Sequence, residues 1–215
     1  MRLARLKRQN KMKKLNVLVL GCVVAIAAAS CIKDGESFDA NAQYQLEKPI
    51  VEAYAMEHLD NPDYKDIQGV RVWFEVLEPG DPESYQYKVD ENSGQQVLVP
   101  ATAIVSYEGR LVNNNTVFES KEDQEFVISL NSIIPAWQLA FFPNKFRYDA
   151  DGELLDEPID FGGLTEEGLK AGSVIRIVTP SYWAYQNSAR GSIPANSPLY
   201  FEISVSELED YNSTN

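Results

Sequence analysis

Residues 199–208 (LYFEISVSEL) place apolar side chains at every second position, a spacing that lines one face of a strand and cannot line one face of a helix. Residues 69–77 (GVRVWFEVL), 101–111 and 173–179 (SVIRIVT) share its richness in β-branched and aromatic residues. Shorter runs at 85–89, 95–99, 117–119 and 126–130 read as further strands. They are separated by turn clusters such as Pro79-Gly80-Asp81, Asp90-Glu91-Asn92-Ser93-Gly94 and Asn113-Asn114-Asn115. Only two helices are expected. One is short, at 133–142. The other spans 49–60, where Ile50, Val51, Tyr54, Ala55, His58 and Leu59 form a helical stripe, Pro49 suits the first turn and Asn61-Pro62 ends it. The expected fold class is therefore α+β with an antiparallel sheet. Residues 143–168, rich in acids, Gly and Pro, read as an inserted surface excursion. Within it, Asp149-Ala150-Asp151-Gly152-Glu153 lacks the ligand register of a calcium loop and reads as a polar turn.

The first 30 residues differ in kind from the rest. They hold seven basic residues and no acid, leaving 12 basic against 32 acidic residues in the remainder. A surface that negative repels nucleic acid. Lys13-Lys14, the apolar run 17–29 and Ala28-Ala29-Ser30-Cys31 read as a signal peptide ending in a lipobox, with Met12 as a plausible start. Cys31 is then the lipidation site. The expected localisation is the bacterial cell envelope, lipid-anchored at the outer membrane, on its periplasmic face or at the cell surface. Residues 1–30 are the expected signal peptide, 31–66 a lipidated tether (32–46) with the amphipathic helix, and 67–210 the folded domain.

Common catalytic devices are missing from the sequence. Cys22 leaves with the signal and Cys31 carries lipid, so no thiol remains. His58 is the only histidine and reads as a packing residue, and there is no phosphate-binding Gly loop or Gly-x-Ser-x-Gly elbow. No metal or cofactor is expected. Aromatic residues at strand ends and turns stand out instead: Tyr107, Phe118, Phe126, Trp137, Tyr185 and Phe201.

The words around them are specific. Val105-Ser106-Tyr107-Glu108-Gly109-Arg110-Leu111 with Val117-Phe118-Glu119-Ser120, then Ile133-Ile134-Pro135-Ala136-Trp137, Ala171-Gly172, Ala184-Tyr185 and Ile193-Pro194-Ala195-Asn196-Ser197-Pro198-Leu199-Tyr200-Phe201, resemble the FKBP-type peptidyl-prolyl isomerases in the same order. The helix ahead of Gly69-Val70 is similar to the N-terminal region of Bacteroidetes lipoprotein members. The resemblance implies an FKBP-like antiparallel half-barrel wrapped around one short helix, with an N-terminal helix extension. It also implies a shallow prolyl pocket. Trp137 would be the floor, and Tyr107, Phe118, Phe126, Ile133, Ile134, Ile193 and Phe201 the walls, with Ala184 beside them. Tyr185 would offer its hydroxyl and Ile134 its backbone N–H to a substrate carbonyl.

The implied partners are proline-containing polypeptides of the envelope, and the membrane through Cys31. The implied activity is isomerisation that assists folding of exported proteins. Three departures support an alternative, a catalytically weak or inactive peptide-binding chaperone or interaction module: Glu119 replaces the family's Asp, Gln186 replaces the Gly after Ala184-Tyr185, and 143–168 is extra.

Overall fold

The structure is a computed structural model that describes residues 38–92 and 95–212. Cys31 and the expected signal peptide lie outside these residues.

Among the described residues ten strands and two α-helices follow in order. Helix α1 (Ala40–His58) leads into the hairpin of β1 (Asp63–Ile67) and β2 (Val70–Pro79). Next come β3 (Lys88–Asn92), β4 (Gln95–Leu98), β5 (Ala101–Leu111), β6 (Val117–Ile128) and helix α2 (Pro135–Phe141). Then follow β7 (Lys145–Asp149), β8 (Leu154–Asp160), β9 (Ser173–Thr179), a 3₁₀ turn (Ser181–Trp183) and β10 (Leu199–Asp210). Six strands form one sheet in the order β1-β2-β9-β10-β5-β6, every neighbouring pair antiparallel.

The period of two decides what covers each face. Val72 and Phe74 of β2, Ile175 and Ile177 of β9, and Leu199, Phe201 and Ile203 of β10 share one core with α2. The alternate side chains Trp73, Val178 and Tyr200 join a second cluster with Val51, Tyr54 and Ala55 of α1 and Leu59 just after it. The sheet is thus sandwiched between the two helices: the face toward α2 is apolar, and the face toward α1 is apolar around Trp73, Val178 and Tyr200 and carries the Glu75–Arg176–Glu202 ion pairs beside them. This is the α+β architecture expected from the sequence.

The strand expected at 85–89 runs instead over Lys88–Asn92, pairing with β4 through residues expected in the turn, and three larger expectations are corrected. Helix α1 begins at Ala40, inside the expected tether, because the Asp39 carboxylate accepts from the N–H groups of Asn41 and Ala42. Pro49 therefore sits mid-helix rather than in the first turn. It is tolerated because Pro49 and Gln45, whose carbonyl loses its donor, both face solvent, where water replaces the missing bond. The expected short strands 117–119 and 126–130 are one continuous strand, β6. It stays paired through a bulge in which Asp123 takes a left-handed φ of 49° and its N–H is bound by the Ser106 hydroxyl.

The third correction concerns 143–168. It is no bare surface excursion: β7 and β8 join β3 and β4 in a second sheet, ordered β4-β3-β7-β8. Phe146, Ile159, Phe161 and Leu164 are buried in the main core. The Asp149–Glu153 stretch is a turn in which the Asp149 carboxylate accepts from the N–H groups of Asp151 and Glu153. His58 stacks on Tyr54, ring centroids 3.8 Å apart.

Candidate active site

Helix α2 is only seven residues long, too short to be stable alone, so its surroundings must hold it. Pro135 suits its first position, where no N–H is needed. At the other end, the carbonyls of Leu139 and Phe141, which have no partner inside so short a helix, accept from the N–H groups of Leu164 and Leu169 at 2.7 and 3.0 Å. The backbone at residues 164 and 169 thus caps the helix that carries Trp137. The approach is close enough that a Cβ on Gly163 would lie 1.9 Å from the Phe142 carbonyl oxygen.

Trp137 is 5% exposed and packs against Tyr107 (5.0 Å between ring centroids, near-perpendicular), Phe126 (5.4 Å), Phe201 (5.7 Å) and Phe141 (6.0 Å). Over it opens a cleft of about 180 Å³ lined by Tyr107, Phe118, Glu119, Phe126, Ser132, Ile133, Ile134, Trp137, Tyr185 and Phe201. Three strands, helix α2 and two turns deliver these groups. β5 and β10 present Tyr107 and Phe201 from the sheet, while β6 supplies Phe118, Glu119 and Phe126. The loop before α2 brings Ile133 and Ile134, and the turn after the 3₁₀ segment brings Tyr185.

Gly109 sets the Phe118 wall. A Cβ there would lie 2.3 Å from Phe118 Cζ, so the ring occupies space that only glycine leaves empty. Phe118 then meets Phe201 edge-on at 5.7 Å. The Ile133–Ile134 segment is held by Gln138, whose Nε2 donates to the carbonyls of Leu130 and Ile133, both at 2.9 Å. The Ile134 carbonyl accepts from Trp137 and Gln138, while its own N–H donates to no group among the described residues.

Burial, and then the Glu119 carboxylate beside it, raise the pKa of Tyr107 well above the ordinary tyrosine value. Burial and the charge of Glu119 also raise that of Tyr185, with Arg190 acting in the opposite sense. Both phenols are therefore neutral donors at neutral pH. The Trp137 indole Nε1 is buried with no hydrogen-bond partner among the described residues. The site thus offers a floor and walls of aromatic surface, a few donors and one carboxylate. Among the described residues no group of three or more His, Cys, Asp or Glu is arranged to hold a metal. Such a cleft suits a small apolar group attached to a carbonyl.

Nine of the eleven residues singled out in the sequence line this cleft. Ile193 and Ala184 do not. The Ile193 side chain is 6% exposed and packs into the core, and Ala184, which closes the 3₁₀ turn, packs against that core. Ser132 was missed, and nothing in its local sequence marks it; its hydroxyl bonds the carbonyl of Val127. Gln138 was missed because a polar residue in a short helix reads as solvent-facing.

No protein-family model matches the chain. Over 106 residues, 49% of the chain, it is 30% identical to the FKBP-type peptidyl-prolyl cis-trans isomerase FkpA of Buchnera aphidicola subsp. Baizongia pistaciae. The chain covers 32% of that protein's length. Among solved structures it is similar to FkpA from Escherichia coli, with 17% identity, a TM-score of 0.49, and 80% of this chain and 63% of that one covered. It is also similar to a peptidyl-prolyl cis-trans isomerase from Pseudomonas syringae pv. tomato, with 21% identity, a TM-score of 0.46, and 82% and 100% covered. The similarity to FKBP-type isomerases carried by the sequence words is thus met again in a curated relative.

Proposed function

We propose that the chain is a peptidyl-prolyl cis-trans isomerase that binds the X-Pro bond of exported polypeptides in the Trp137 cleft. The observation that carries this reading is the meeting of six aromatic rings with the Ile134 N–H, unpartnered among the described residues, around one small opening. An X-Pro bond turns slowly because its partial double-bond character opposes rotation, with a barrier of about 18–20 kcal/mol. Resonance separates charge in the planar amide, and water stabilises that planar form more than the twisted transition state.

Transfer into an aromatic cleft removes this preference. The prolyl ring rests on Trp137 between Phe118, Phe126 and Phe201. In this reading the Ile134 N–H or the Tyr185 hydroxyl meets the carbonyl only once it has rotated out of the amide plane, so the bond is made in the twisted form and not in the planar one. Proton transfer and covalent intermediates are unnecessary. A thousandfold acceleration requires about 4 kcal/mol, within the reach of desolvation and one or two such bonds.

In this reading Cys31 carries the lipid anchor that places the enzyme in the envelope, and Cys31→Ala releases it from membrane fractions. The activity itself is tested by NMR exchange between the cis and trans forms of a short X-Pro peptide with substoichiometric protein. Acceleration is expected, lost in Trp137→Ala and reduced at least about tenfold in Tyr185→Phe. Equal acceleration by Trp137→Ala would place the site elsewhere.

A further inference from the structure

The N-terminal helix reaches the cleft through one buried carboxylate. Glu47 is 2% exposed, on the face of α1 that packs against the main domain. Its Oε2 accepts from the Ser181 backbone N–H at 2.7 Å, and its Oε1 from the Ser181 hydroxyl at 2.6 Å and Gln43 Nε2 at 2.8 Å. Among the described residues no Lys or Arg pairs with it. A buried carboxylate held only by neutral donors is expensive in desolvation, and charge-assisted hydrogen bonds offset that cost only if the donors are held in place.

Ser181 is the first residue of the 3₁₀ turn. Its carbonyl accepts from the N–H groups of both Ala184 and Gln186, each at 2.9 Å, so the backbone on either side of Tyr185 is tied to this single residue. Gln186 closes the turn with a left-handed φ of 50°, and its carbonyl accepts from Asn196 N–H at 2.7 Å. A continuous path of hydrogen bonds therefore runs from Glu47 through Ser181 to the backbone flanking Tyr185, whose side chain lines the cleft.

We infer that Glu47 is a positioning residue for the isomerase: the appended helix fixes Tyr185 over the cleft through Ser181. The inference rests on the isomerase reading of the cleft. It makes α1 part of the working domain rather than a spacer between anchor and enzyme.

The test is a double-mutant cycle on the full chain, pairing Glu47→Gln with Tyr185→Phe. Glu47→Gln is expected to lower kcat/KM for an X-Pro peptide about tenfold when Tyr185 is present, and less than about twofold in the Tyr185→Phe background. Thermal unfolding should shift equally in both backgrounds. An equal loss of kcat/KM in the two backgrounds, or no loss in either, would overturn the inference, because a merely structural role does not depend on the Tyr185 hydroxyl.

If the unmutated chain shows no catalysis, the isomerase reading fails on its own, and positioning is decided by the Tyr185 resonance in ¹³C-tyrosine-labelled protein, assigned with Tyr185→Phe. A shifted or broadened resonance in Glu47→Gln supports positioning, and an unchanged one refutes it. Should Glu47→Gln fail to fold, Ser181→Ala, which removes one donor and keeps the backbone N–H, is read in the same two ways. About a threefold loss is expected for it.

Discussion

Gly109→Ala adds one methyl group and tests whether the cleft wall is set where the geometry places it. A Cβ at this position would lie 2.3, 2.6 and 3.1 Å from Phe118 Cζ, Cε2 and Cε1. Carbon atoms rest about 3.5–4.0 Å apart, so the ring must retreat by about 1 Å or more. The clash is with the far end of a side chain that is only partly buried, so the ring swings outward and β5 keeps its register. The expected destabilisation is therefore at the low end of overpacking, about 1 kcal/mol, or a Tm lower by roughly 2–4 °C.

The cleft suffers more than the fold. Displacing Phe118 from its edge contact with Phe201 forfeits much of the roughly 1.5–3 kcal/mol that burying a ring against a ligand supplies, and kcat/KM for an X-Pro peptide should fall about tenfold. The same substitution in a Phe118→Ala background should change kcat/KM by less than about twofold. An undiminished kcat/KM in Gly109→Ala, or an equal loss without the Phe118 ring, would refute the assignment of this wall.

Other perturbations have equally definite outcomes. Gln186 holds a left-handed φ of 50°, and its Nε2 bond to the Tyr182 carbonyl at 3.3 Å is long, so Gln186→Gly should raise Tm by a few degrees, corresponding to up to about 1 kcal/mol. A fall in Tm would mean the side chain contributes more than the strain removes. Gly163→Ala drives a methyl into the Phe142 carbonyl and should lower stability by about 1–3 kcal/mol or more while loosening the Trp137 helix; an unchanged melt would show that the backbone at residues 164 and 169 does not cap it. Burial raises the pKa values of Tyr54, Tyr85, Tyr87, Tyr107, Tyr185 and Tyr200 above the ordinary 10.0. These phenols bind their protons more tightly folded than unfolded, so their stabilisation is complete below pH 10 and is lost as pH climbs from there through the folded values. Denaturant melts should show falling stability above pH 10, and a flat profile would contradict the burial of Tyr87.

The sheet was legible because β10 alternates cleanly and strands such as β9 are rich in β-branched residues, and the aromatic walls because the words around Tyr107, Trp137 and Phe201 are local. What escaped the sequence depends on distant partners. Helix α1 was read from Pro49 because a proline looks like a start, while the real signal, Asp39, lies in a polar stretch. The 143–168 segment looked solvated because its acids outnumber its core residues, yet Phe146, Ile159 and Phe161 bury it against Phe142. Ile193 fits the family word by position, but its side chain fills core and does not line the opening. Glu47 and Gln138 have no local signature at all, since each is defined by the backbone groups it meets far along the chain or across a turn.

The central claim, that this cleft turns X-Pro bonds, is tested most directly by a protease-free isomerisation assay on the purified chain with a short X-Pro peptide, with and without rapamycin, the competitor that the FKBP resemblance nominates. The account predicts acceleration that rapamycin abolishes and that Trp137→Ala lacks. A folded chain that leaves the uncatalysed rate unchanged would contradict it, and the cleft would then be that of a peptide-binding module.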